Sequence, residues 1–326
     1  MSQSRWGTGL KYIFRQPAFY VAWLLWAAVL LAGFILTRGI PALAGAVPRS
    51  AVGLFMILAL IGAAALVTRN RPILDLGERA PERSIALREL LLMLLYGAVV
   101  MVAGRILGEH FFGEGIAMHL NGSLMGATRV QSPVEVVTWA AFNGTLFALL
   151  PYLVFRSRGY SNFQLNLKSA NLRNDLLLIF VVLALSCAVD LTGPNIFQLT
   201  LHQQVVGGPL SFILHLFGTD LPIMIFIYAI LVPRFFRLFS PMTAYLLGAL
   251  SYPTMHIFES GTHYDTIGHA TLSLIFIYLG FFPAGLMKSF LTWRTGNAWV
   301  HLWAFHAISP HVTVDTRLIV ADFHIH

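Results

Sequence analysis

Nine segments of this chain are apolar enough, and most are long enough, to cross a lipid bilayer, and nothing else in the sequence narrows the available folds so far. They cover residues 18–37, 51–68, 89–107, 134–155, 176–191, 210–232, 241–258, 267–286 and 298–308, the last being short. A helix needs about 20 residues to span the hydrocarbon core. Backbone groups in lipid must be satisfied within the chain, so the expected fold is all-α, a polytopic membrane bundle of about nine spans. Composition agrees: 57% of the 326 residues are hydrophobic and 11% are charged, against about a quarter charged in soluble domains. A soluble enzyme is excluded. The single cysteine, Cys187, rules out an intrachain disulfide and any paired-cysteine zinc or redox motif.

The net charge of +7 fits nucleic acid, anionic lipid or a topology signal, and the placement of the charges decides. Of the 21 Lys and Arg, alternate connections hold 16 on one side and 5 on the other. Cytoplasmic loops retain basic residues, so the N-terminus is expected inside and the C-terminus outside, as in the inner membrane of a bacterium, with no nucleic-acid partner. Arg5, Lys11 and Arg15 precede the first span, which is longer than the core of a usual signal peptide and is read as an uncleaved anchor. The mixed-charge stretch 69–88 reads as a solvated cytoplasmic loop, the Arg234 and Arg237 stretch as an interfacial turn, and the alternation of Val312, Val314, Leu318 and Val320 as a short extended segment. Gly218, Asp220 and Pro222 predict a break in the sixth span.

On this topology most of the twelve histidines face the outer side. His256 and Glu259 are three apart on one helix face, and His263, Asp265 and His269 follow. Imidazole and carboxylate are ligands for zinc, copper or iron. Ionisable groups within a bilayer are costly and mark sites, which singles out Asp220, His256 and His306. His301 and His306, five apart, stand about 140° apart on an α-helix and are not expected to share a metal. The candidate metal ligands are therefore His256, His306, Glu259, Asp220, His263 and His269, with Glu259 and Asp220 as candidate catalytic carboxylates and zinc as the candidate cofactor.

Two stretches carry a family resemblance. Arg294-Thr-Gly-Asn-Ala-Trp-Val-His-Leu-Trp-Ala-Phe-His306-Ala and Tyr252-Pro-Thr-Met-His256 resemble the last two motifs of the CPBP family of intramembrane metalloproteases, which includes CAAX prenyl proteases and bacteriocin-processing or immunity proteins. The resemblance covers about residues 220–311. It implies a five-span N-terminal scaffold over 1–209, a CPBP-like core over 210–311 and an extramembrane tail over 312–326. In the family an earlier Glu-Glu pair and an Arg complete the site. Here Ile223-Met224 and Tyr228 stand in those positions, and Pro310 replaces an Asn. The leading expectation is thus a proteolytically inactive membrane protein that binds, assembles or stabilises other membrane subunits. One alternative is a metal-dependent intramembrane hydrolase with a displaced site built from His256, Glu259 or Asp220, and His306. Another is a haem or copper electron-transfer subunit, since histidines on separate helices ligate haem.

Overall fold

The computed structural model describes residues 15–38, 45–118, 130–259 and 262–326, and its described elements are all helical. The basic residues Arg5 and Lys11 of the expected anchor lie outside the described residues. Seven helices are long and apolar enough to cross a membrane: α1 (Pro17–Leu36), α2 (Ala46–Val67), α3 (Arg83–Phe112), α4 (Pro133–Ser157), α5 (Leu172–Asp190), α6 (Leu201–Leu238) and α8 (Ile267–Thr295). Between the last two runs the shorter α7 (Pro241–Thr254). After them come α9 (Ala298–His301), continued by a wide turn over Leu302–His306, then α10 (Ser309–Thr313) and α11 (Thr316–Asp322). The chain is an integral membrane helical bundle.

The axis of the bundle is α6. Of its most apolar stretch 83% lies inside the protein, against 6% for α1, whose surface is left to lipid. Residues 223–232 of α6 are buried without exception, and α3, α4, α7 and α9 pack around them. The helix is not broken as Gly218, Asp220 and Pro222 suggest. It continues through two stretches of π geometry, Leu216–Asp220 and Met224–Leu231. Pro222 lacks an N–H and crowds the carbonyl one turn back, and widening the helix accommodates this without ending it. Gly218 lies against the indole of Trp139 so closely that any side chain would collide with it.

α7 and α8 form an antiparallel pair. Tyr245 donates to the Leu286 carbonyl at 3.2 Å, Ser289 donates to the Tyr245 carbonyl at 2.9 Å, and the hydroxyls of Thr254 and Tyr278 meet at 3.1 Å. Gly248 and Gly285 allow this close approach, with the Ala249 backbone against Gly285. The chain therefore reverses direction between α7 and α8, and His256, just after α7, lies at the end of the bundle where α8 begins.

Three local expectations are corrected. The stretch 69–88 is not a plain solvated loop: Leu76, Gly77 and Arg79 are buried in a single 3₁₀ turn, Leu76–Arg79. Burial holds the Arg79 guanidinium down to about 10, and its Nη1 donates to Asn166 Oδ1 at 2.7 Å and to the Gly296 carbonyl at 2.5 Å. Gly296 closes α8 in the left-handed conformation, φ +60°, which only glycine adopts freely, and its Cα faces the Arg79 guanidinium with no room for a methyl group. Second, Arg234 does not anchor an interfacial turn. It is 1% exposed and meets Glu89 of α3 at 2.7 and 3.0 Å, because a guanidinium inside the bundle requires a carboxylate. Third, residues 312–320 are not extended: they run from the end of α10 through a turn into α11. Thr316, Ile319 and Val320, three and four apart, face inward, and Val320 and Thr316 pack on Gly207 of α6.

Candidate functional site

The turn between α8 and α9 places the catalytic-looking histidines. Asn297 caps α9 by accepting from Trp299 N–H at 3.2 Å, and its amide donates to Asp175 of α5 at 3.0 Å. Asp175 in turn pairs with Arg71 at 2.5 Å. From that fixed start α9 enters the core with His301 and His306 buried on it. Their rings lie 6.4 Å apart, closer than the α-helical separation predicts. Leu302–His306 is a π turn, in which residues five apart bond along one face.

His306 faces α6. Its Nδ1 stands 3.2 Å from Oδ1 of Asp220, and Nε2 of His311 stands 3.5 Å from the same oxygen. One ligand atom from each of Asp220, His306 and His311 lies within 4.8 Å of the other two, and all three residues are buried. Among the described residues, neither oxygen of Asp220 has a hydrogen-bond donor. A carboxylate removed from water with no donor is expensive to bury; Lys288 attracts it without bonding to it, and a cation held directly on it would relieve the rest of that cost.

His311 is held from three directions. Its carbonyl accepts from Ser211 of α6 at 2.6 Å, its ring stacks on His215 at 4.4 Å, and its Nδ1 donates to Asp315 Oδ2 at 2.7 Å. The last bond directs Nε2 at Asp220. A carboxylate behind the far nitrogen of a histidine is the arrangement that orients metal-binding imidazoles. Asp315 Oδ2 also lies 3.7 Å from His215 Nε2, so His215, His311 and Asp315 form a second grouping that shares His311 with the first. Ser309 donates to Asp190 at the end of α5 and fixes the start of α10.

His256 and Glu259 form a buried pair, with Nδ1 of His256 2.7 Å from Oε2 of Glu259. Phe281 stacks on the His256 ring at 3.8 Å, and the Tyr252 ring meets His256 and His306 edge-on at 4.6 and 5.8 Å. Tyr252 is thus the wall between the pair and the Asp220 cluster. A cavity of about 580 Å³ reaches both, with Glu259, Tyr252, His306 and His311 in its lining. Among the described residues, Oε1 of Glu259 has no hydrogen-bond partner.

Of the residues singled out from sequence, Asp220 and His306 meet directly, His256 and Glu259 meet each other, and His263 and His269 stand apart from both. The latter two have rings 6.1 Å apart, and His269 donates to Asp265 at 2.8 Å, a bond that holds the Asp265 carboxyl below its ordinary range. Asp265 and His269 are more than half exposed and form a surface pair. His311, Asp315, His215 and Lys288 complete the interior cluster without having been picked out. His311 adjoins Pro310, where the family pattern has Asn, and its spacing of five from His306 repeats that of His301 and His306.

The fold and site define an integral membrane bundle with a buried aspartate and histidine cluster beside a partly open cavity. No family model, no curated protein and no solved structure matches the chain.

Proposed function

We propose that this protein is a metal-dependent hydrolase acting within the membrane. The single observation that carries this reading is the buried grouping of Asp220, His306 and His311 on a cavity that also reaches Glu259. Three protein ligands with a fourth position open to a cavity are the usual set of a catalytic zinc. Asp220, His306 and His311 would hold the ion, with Asp315 behind His311. When bound, such an ion supplies Lewis-acid polarisation and lowers the pKa of water. Glu259, which lines the same cavity beyond Tyr252, would take the proton of a water and return it to the leaving group, with His256 bonded to its other oxygen.

This reading keeps the CPBP-like core as a proposal and shifts its carboxylate from the Ile223-Met224 position to Asp220, one turn away on α6. It also keeps nine crossings with the N-terminus inside, as in a bacterial inner membrane. The antiparallel pairing of α7 with α8 supports that count, because a short helix that reverses the chain puts Ile267 and His256 at one end. Metal analysis of the purified full chain, washed with a weak chelator, tests the proposal. About one zinc-class ion per chain, lost in His306→Ala and in Asp220→Asn, is expected; a metal-free wild type overturns it.

A second reading is a non-catalytic subunit that binds or stabilises membrane partners. It is favoured by the complete burial of Ile223 and Met224 in apolar surroundings, which leaves no carboxylate where the family pattern has two. Peptide or ester hydrolysis by the wild type that is lost in Glu259→Gln separates the two.

A further inference from the structure

Lys288 lies on α8, 1% exposed, in the lining of the same cavity. Its ammonium sits 3.3 Å from the centre of the Tyr252 ring and, among the described residues, makes no ion pair. Of the carboxylates nearby, Glu259 is engaged by His256, Asp315 by His311 and Asp190 by Ser309, and Asp220 attracts the ammonium without pairing with it directly. A buried cation with no directly bonded counter-ion carries a large desolvation cost, which the ring face and the more distant Asp220 offset only in part. The position also faces a cavity, where an incoming anion would complete the pair. The remaining wall is largely apolar, formed by Ile57 and Leu60 of α2, Leu279 and Phe281 of α8, and Phe305 beyond α9, and Arg49 lies at its exposed margin.

We propose that Lys288 is the anion-reading group of this cavity, and that the molecule bound there is a single-chain amphiphile bearing a terminal anionic oxygen group, carboxylate or phosphate. The apolar wall takes the chain and the ammonium takes the head, beside the Asp220 cluster. As a statement about substrate class, it rests on the hydrolase reading given above.

Binding of four probes to the full chain in an uncharged detergent tests it: dodecanoate, dodecyl phosphate, dodecanol and inorganic phosphate. At least one of the two anionic amphiphiles binds the wild type more tightly than dodecanol and than inorganic phosphate, and the arm that binds identifies the head group. Lys288→Met lowers that affinity at least fivefold, Lys288→Arg restores it in part, and dodecanol binding is unchanged. A loss smaller than fivefold, or anionic amphiphiles bound no better than dodecanol, overturns the proposal. Inorganic phosphate bound as tightly as dodecyl phosphate overturns the amphiphile part. If Lys288→Met does not fold, as judged by its elution and thermal transition, Lys288→Gln takes its place under the same criteria. Metal content measured on the same samples keeps the two readings apart. A metal-free wild type with Lys288-dependent binding refutes the hydrolase alone, whereas a metal-loaded wild type indifferent to Lys288 refutes this inference alone.

Discussion

The Nδ1 of His311 lies 2.7 Å from Oδ2 of Asp315, and that bond sets which nitrogen His311 turns toward Asp220. Asp315→Asn keeps the shape but can present its amide N–H to the ring, favouring the opposite tautomer or a rotated imidazole. A lost partner behind a metal-binding histidine weakens metal retention about 10- to 100-fold. The variant is therefore expected to fold normally and release its ion at a lower chelator concentration, as measured by chelator titration.

Asp220→Asn removes the one carboxylate of the cluster, and His311→Ala removes one imidazole. Each is expected to abolish stoichiometric metal, while His263→Ala and His269→Ala, on the surface pair, leave it unchanged. Elemental analysis of the four variants beside the wild type checks this. Equal loss from the surface variants would move the site to the 263–269 loop.

The buried pair of Glu89 and Arg234 links α3 to α6, and Arg158 and Tyr160 also bind Glu89. Removing Arg234 leaves buried Glu89 with only the half-exposed Arg158 and the Tyr160 hydroxyl, a loss of up to about 3–5 kcal/mol. Arg234→Met is expected to lower the unfolding midpoint in detergent far more than Arg237→Met, whose side chain is exposed. Glu89→Gln with Arg234→Met should recover much of the loss.

Tyr160, beyond the end of α4, has its phenol raised to about 12, first by burial and then by its hydrogen bond to Glu89. The folded state favours the neutral phenol relative to an unfolded value near 10. The contribution is complete below pH 10 and is lost as pH rises from about 10 to 12. Wild-type stability should fall more steeply across that window than that of Tyr160→Phe, followed by chemical unfolding at successive pH values.

Gly296→Ala places a side chain at φ +60° and against the Arg79 guanidinium. Backbone strain of this kind costs about 1–3 kcal/mol, and the Arg79 bonds to Asn166 and Gly296 loosen with it. A lower unfolding midpoint is expected, with metal content reduced because α9 begins two residues later. Thermal denaturation and elemental analysis read the two effects separately.

The membrane class, the long helices and the burial of Asp220, His256, Glu259 and His306 are legible in the sequence because apolar runs and rare ionisable groups within them both stand out against lipid. Less legible is what joins them. Lys288 falls just beyond the apolar segment 267–286 and counts as an inner-loop cation, yet α8 continues to Thr295 and buries it. Arg79 and Arg234 read as surface charges for the same reason: residue type carries no record of the carbonyl or carboxylate waiting on another helix. His311 is hidden by the α-helical ruler, which has no place for a wide turn.

Helix α4 also contains a π stretch, Gly144–Leu149, so such turns occur in α4, in α6 and after α9. Each amounts to one residue more than an α-helix of the same rise would hold. Deleting one residue between 302 and 305 would let that turn relax to ordinary helix, and the chain could still pack. Everything after the deletion would then be rotated by about 100° relative to the residues before it. The imidazole of His306 would leave Asp220, and the hydroxyl of Ser309 would leave Asp190. In this protein a single-residue deletion is a rotation of the site, and the length of one turn is as much a determinant of the chemistry as any side chain in it.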